Sequence, residues 1–264
     1  MQSQQCLPDA GLRPWIHSYR RYHFEQGDPE VLTLLPGTGA ELWLGEGGGS
    51  ALLCPRHRVQ QLARPARPVF AIRFRAGALP LFGVPALSGL VDRETPARQL
   101  WPEDADAWAR LGGADFETQC GQASLLLLSR LRETPELERM RSLAGRMFAD
   151  SAGFALGVYA DEANVDRCGL SRRFHASQGV TAKFYHRLCR FERFLRDAVF
   201  QSRPSLAGLA WEHGYFDQAH LHRDARSLVG LPPARLLSEP AWSLFYSPLA
   251  VQPNSSPERW PSSG

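Results

Sequence analysis

The 264-residue sequence predicts an α+β fold, rich in short strands up to about residue 75 and helical from residue 77 onward. Three observations carry this reading. Apolar runs of four to six residues, broken by glycine and proline, fill the first quarter of the chain. Helical stripes with acid-rich starts take over near residue 100. Two short-helix, turn, helix patterns, each closed by a glycine, then appear on either side of a long amphipathic helix.

The strand region contains Val31-Leu32-Thr33-Leu34-Leu35, stopped by Pro36-Gly37, and then Ala40 to Leu44 before Gly47-Gly48-Gly49-Ser50. Phe70 to Arg75 alternates strictly, with Phe70, Ile72 and Phe74 on one face and Arg73 and Arg75 on the other. Such spacing predicts a small barrel or curved sheet. A short helix over 78–82 and a proline-rich connection follow. Helices are then expected over about 103–112 and 115–132, the second with Leu125, Leu128 and Leu131 at helical spacing. One further helix, 136–148, carries Leu137, Met140, Leu143, Ala144 and Met147 on one stripe. Asp150-Ser151-Ala152-Gly153 reads as the linker. The expected organisation is a sensing or dimerisation part (1–150), a helical part (154–237) and a Ser/Pro-rich tail (238–264).

Composition narrows the functional classes. Apolar residues make up 44% of the chain, enough for a sizeable core. The net charge is +3, but it is unevenly placed. Between Val165 and Leu237 twelve basic residues face six acids, leaving that segment at +6 and the remainder at −3. A basic segment beside an acidic remainder points to a polyanion for one part only. Five scattered cysteines without CxxC spacing argue against a disulfide framework or a structural zinc site, and fit a reducing compartment. The N-terminal residues have no charged and apolar signal-peptide pattern, and no stretch is apolar enough to span a bilayer, so a soluble, cytoplasmic chain is expected. No cofactor-binding loop and no metal spacing is present.

The helical part is the most informative. A short helix over 156–163 and a tight turn at Asn164-Val165 lead to Asp166, placed to cap a helix from Arg167 to Gln178, which Gly179 ends. Leu170 and Phe174 face the core, whereas Arg167, Ser171, Arg172 and His175 fall on the other side. The pattern then repeats. Leu206, Leu209 and Ala210 supply a helix face, Gly214 permits the turn, and Asp217 caps a helix running to Val229 and closed by Gly230. Leu221, Ala225 and Leu228 point inward, and Gln218, His222 and Arg223 outward. Pro232-Pro233 reads as a stop. Between the units, Thr181 to Phe200 carries an apolar stripe of Phe184, Leu188, Phe191, Leu195 and Ala198. Arg187, Arg190, Arg193 and Arg196 recur beside it every three residues, and with two such units present they are expected to face a polyanion. This helix is about 30 Å long, close to the pitch of one DNA turn, about 34 Å.

Leu170-Ser-Arg-Arg-Phe174, Gly179-Val-Thr-Ala-Lys183, Tyr185 and Leu188-Cys-Arg-Phe191 resemble the first half of an AraC/XylS-type DNA-binding domain. Ala207-Gly-Leu-Ala-Trp-Glu-His-Gly-Tyr-Phe-Asp-Gln-Ala-His-Leu-His-Arg223, with Gly230-Leu-Pro-Pro233, resembles its second half. The resemblance covers about 80 residues. It implies a transcription regulator, most simply an activator, whose two recognition helices enter major grooves of double-stranded DNA. By position, the base-facing residues would be Arg167, Cys168, Ser171, Arg172, Gln218, His222 and Arg223, with His175, Lys183, Arg187 and Arg226 completing the expected contacts. Gly169, Ala182 and Ala225 depart from the family pattern. Leu34-Leu-Pro-Gly37, Glu41-Leu-Trp-Leu44, Ile72-Arg-Phe-Arg-Ala-Gly77, Leu81-Phe-Gly-Val-Pro85 and Leu100-Trp101 resemble the small β-rich sensor of a subset of the family. That implies a small-molecule effector, with a homodimer and RNA polymerase as further partners.

Other readings are open at individual residues. His220 and His222, two apart on a helix, point in different directions and make a poor metal pair. Cys54, in Leu52-Leu-Cys-Pro-Arg-His57, reads as a buried structural cysteine; as a reactive thiol it would instead suggest a DNA repair or modification enzyme. Trp15, Trp43 and Trp101 suit a core as well as a ligand pocket.

Overall fold

The computed structural model describes residues 2–46, 49–53, 56–84, 87–200 and 205–238. Cys54 and the tail from 239 onward lie outside the described residues. The strands are β1 (Gln2–Cys6), β2 (Ile16–His23), β3 (Val31–Leu34), β4 (Ala40–Gly45), β5 (Ser50–Leu53), β6 (Gln60–Ala63), β7 (Val69–Phe74) and β8 (Glu94–Thr95). Six of them form one antiparallel sheet in the order β1-β2-β7-β4-β5-β8. The antiparallel pair β3-β6 forms a second sheet. The chain is therefore α+β, with one six-stranded and one two-stranded sheet.

The alternation in β7 sorts its side chains between two cores. Phe70, Ile72 and Phe74 join Tyr19, Leu42 and Leu44 on one face. Helices α1 (Ala97–Leu100), α2 (Ala105–Leu111) and α3 (Phe116–Arg130) cover that face. Trp101, just after α1, stacks on Trp108 of α2, with ring centroids 5.1 Å apart. Trp101 and Trp43 are both buried, as core residues. The leucine stripe of α3 is not its buried face: Leu125 is 70% and Leu128 44% exposed. The inward residues are Gln119, Ala123, Ser124 and Leu127. Two polar anchors fix that register, Ser124 Oγ against Tyr19 Oη at 2.9 Å and Gln119 Nε2 donating to the Leu111 carbonyl at 2.9 Å. Each satisfies a buried polar group, which costs more to leave unpaired than an exposed leucine costs.

The opposite face of the sheet carries Tyr22, Trp43, Val69 and Ala71, with Leu32 and Leu34 from β3. It closes on helix α7 (Ala182–Phe200) through Leu188, Phe191, Phe194 and Leu195. The same core continues into the C-terminal helices α8 (Leu206–Glu212), α9 (Gln218–Val229) and α10 (Pro233–Ser238). A third core joins α4 (Pro135–Ala149) to α5 (Leu156–Glu162) and α6 (Arg167–Gln178) through Met140, Leu143, Ala144, Met147, Tyr159, Leu170 and Phe174. Both halves of the chain are thus packed into common cores. α10 departs from the stop expected at Pro232-Pro233. Proline fits the first turn of a helix, where its missing N–H has no acceptor to lose, and here it opens one.

Candidate DNA-binding surface

The first helix-turn-helix unit is α5 and α6. The turn between them places Asn164 at φ +48°, and Asp166 then caps α6. Its carboxylate accepts from the backbone N–H of Cys168 at 3.2 Å and of Gly169 at 2.6 Å, which holds its pKa below the ordinary carboxylate value. Leu170 and Phe174 anchor the inner face, with Phe174 edge-on to Tyr185 at 5.2 Å. Gly179, at φ +73°, ends the helix against the N-terminal half. A Cβ at this position would lie 2.6 Å from the Leu87 carbonyl carbon. Arg167, Cys168, Arg172 and His175 are exposed on the outer side of α6, with Ser171 half-buried among them. Arg173 turns sideways to Glu136 of α4 at 3.3 Å.

The second unit, α8 and α9, repeats the first. Ser205 caps α8 by accepting from Gly208 N–H at 3.3 Å. Asp217 caps α9 by accepting from His220 N–H at 2.6 Å. Gly214 makes the turn at φ +76°, where a Cβ would lie 2.8 Å from Ala152 Cα. Leu221, Ala225 and Leu228 are buried. Gln218, Ala219, His222, Arg223 and Arg226 are exposed together along the outer side of α9. Here lie four of the expected contacts, drawn from two helical turns and carrying two guanidinium groups. Neutral and charged donors in this arrangement suit base edges and phosphates. His220 turns back instead, its Nδ1 accepting from Phe216 N–H at 3.4 Å. Among the described residues, no His, Cys, Asp or Glu cluster could hold a metal ion.

The row of arginines on α7 corrects the expectation made for it. Arg187 Nε donates to Asp224 of α9 at 2.8 Å, and its guanidinium lies over Phe184. Arg190 donates to the Gly214 carbonyl at 3.0 Å and lies over Tyr215. Arg193 donates to the carbonyls of Phe148 and Ala149, and Arg196 lies over the Phe148 ring. The row is a set of internal braces. It ties α7 to α9, to the turn before α9 and to the end of α4. Arg187 is therefore a positioning residue for α9, and not the outward cation expected from its spacing. Lys183, on the first turn of α7, is exposed.

Two features of this region carry no clear signal in the sequence. Glu192, buried on α7, accepts from Thr38 N–H at 2.9 Å and Thr38 Oγ1 at 2.7 Å, crossing 154 residues of chain. Only its place between Phe191 and Phe194, on the apolar side of the helix, hints at burial. Trp211 and Phe216, 75% and 86% exposed, flank the entry to α9. Trp211 breaks the amphipathic pattern of α8, and that is the signal it offers.

A family model described as a helix-turn-helix domain matches residues 159–239. No curated protein matches the chain. Among solved structures, the chain is similar to the C-terminal domain of AraT, a response regulator from Geobacillus stearothermophilus, at 20% identity and TM-score 0.36, covering 40% of this chain and 85% of that one. It is also similar to ToxT from Vibrio cholerae, at 9% identity and TM-score 0.45, covering 90% of this chain and 98% of that one. A ToxT structure with bound unsaturated fatty acid is similar at 11% identity and TM-score 0.41, covering 79% and 93%. No helix among the described residues is long and apolar enough to cross a membrane. With two capped recognition helices, a shared brace and a matching domain over residues 159–239, the C-terminal part is an AraC-type helix-turn-helix DNA-binding domain, and the chain that carries it is a transcription regulator.

Proposed function

We propose that this chain binds a two-element operator, with α6 and α9 in successive major grooves on one face of the duplex. The observation that carries the reading is the repeated geometry of the two units. Each has an aspartate-capped recognition helix, an αL glycine at its end, and exposed arginine and small polar groups on the outer side. Arg172 and Arg223 are assigned bidentate contacts to guanine edges. Arg167, Cys168, Ser171, His175, Gln218 and His222 are assigned contacts to bases or the nearby backbone, and Lys183 and Arg226 contacts to phosphates. The N-terminal half is assigned a small-molecule effector, because its sheet packs directly on α7, the helix that sets the spacing of the two units. The chain is assigned to the cytoplasm, without enzymatic activity, as a homodimer that contacts RNA polymerase when it activates.

The test is binding to duplex DNA as a function of salt. The account predicts a steep fall in affinity with added salt. Arg223→Ala and Arg172→Ala each weaken specific binding by about 1–3 kcal/mol. Salt-independent binding, or unchanged affinity in both variants, overturns the assignment of these helices to the grooves.

A further inference from the structure

Two cysteines that the DNA-binding reading does not use lie together in the N-terminal half. Cys6 ends β1 and pairs in register with Tyr19 of β2. Cys120 lies in the second turn of α3, 114 residues further along, and its sulfur is 3.0 Å from that of Cys6. A disulfide bond is about 2.05 Å long, so closing one asks for a movement of about 1 Å. The frame for that movement is present. The Tyr19–Ser124 hydrogen bond pins β2 to α3 one turn beyond Cys120. β1 is an edge strand with residues 2–4 exposed, so it is free to shift against that frame. Both thiols are partly exposed, within reach of a small molecule.

We propose that Cys6 and Cys120 form an oxidation site, at which a hydroperoxide converts the pair into an intramolecular disulfide tying β1 to α3. The two sulfurs have distinct roles. Either sulfur can donate in the hydrogen bond between them; that bond holds the Cys6 pKa below its ordinary value and, with burial, pushes Cys120 up. Cys6 is the attacking thiolate. Its sulfur takes the terminal oxygen of the hydroperoxide, the O–O bond breaks, and the alkoxide leaves as an alcohol after taking a proton from solvent. The Cys6 sulfenic acid then condenses with Cys120: an S–S bond forms, the S–O bond breaks, and water leaves with the thiol proton. Two electrons pass from the sulfur pair to the peroxide oxygen, and a dithiol reductant reverses the process.

The test uses the full chain treated with hydrogen peroxide, alkylated and digested with trypsin. The expected result is one linked species joining peptides 1–20 and 111–130, each of which contains a single cysteine. It should be lost after dithiothreitol. Cys120→Ser should accumulate a dimedone-reactive sulfenic acid on Cys6, and Cys6→Ser should leave Cys120 unlabelled. Exposed Cys168 serves as the internal control for oxidation. The proposal is overturned if Cys168 is oxidised while Cys6 and Cys120 stay alkylatable. A Cys6 bonded to another cysteine, or linkage only between chains, overturns it equally.

Discussion

Arg187 and Arg223 carry the same group on adjoining helices, yet their surroundings give them different work. Arg223 is exposed beside Gln218, His222 and Arg226. The Arg187 side chain is 27% exposed and paired with an Asp224 side chain that is 9% exposed. Removing Arg187 leaves a nearly buried carboxylate uncompensated, a loss of about 3 kcal/mol. Arg187→Ala should therefore lower the thermal midpoint clearly, whereas Arg223→Ala should leave it nearly unchanged and relax base preference. A stable Arg187→Ala protein with a reduced salt dependence of DNA binding would contradict the brace. His17 gives a second expectation at this scale. Burial, with Arg73, Arg20, Arg75 and Arg196 around it, holds its pKa at about 2. It is neutral in the folded protein, whereas in the unfolded chain it takes up a proton near pH 6.5. Its contribution to stability is present above that pH and is lost as the pH falls, by about 2 kcal/mol between pH 6.5 and pH 5. Thermal midpoints measured across that range should fall less steeply in His17→Gln than in the parent chain. Parallel profiles would contradict the burial of a neutral imidazole.

Among the elements, the two recognition helices depend on glycines that do more than end or turn a helix. At Gly179 and Gly214 the backbone is left-handed, and a side chain would strike Leu87 or Ala152. Strain of this kind costs on the order of 1–3 kcal/mol before the clash is counted. Gly179→Ala and Gly214→Ala should each lower the thermal midpoint by several degrees. Gly230→Ala, with the same backbone sign but open space around it, should cost less. Equal costs at all three would show that the close approaches do not matter. Helices of this kind were readable in the sequence because their signals are local. The bounds of α6 follow from Asp166 and Gly179, and those of α9 from Asp217 and Gly230. The brace was not readable. Spacing shows that Arg187, Arg190, Arg193 and Arg196 share a side of α7, but what covers that side is set by Asp224, Gly214 and Phe148, remote in sequence. The same holds for α3, where Tyr19 and Leu111 choose which face turns in. In β2, arginines 20 and 21 among Tyr19 and Tyr22 conceal the strand's alternation.

Across the whole molecule, the sheet, α7 and the second unit share one apolar core, and α4 shares another with the first unit. The chain should accordingly unfold in one transition, with tryptophan fluorescence and far-ultraviolet circular dichroism coinciding. Two separated transitions would mean that the common cores are weak. The same continuity places β4 and the Thr38–Glu192 contact directly against α7, the helix that lies between the two units. The central claim, that two helices read two grooves, is tested most directly by selecting preferred sequences in vitro for the parent chain, Arg172→Ala and Arg223→Ala. The account predicts two conserved elements about one helical turn apart, with each variant losing preference in a different element. A single element, or the same positions relaxed in both variants, would contradict it.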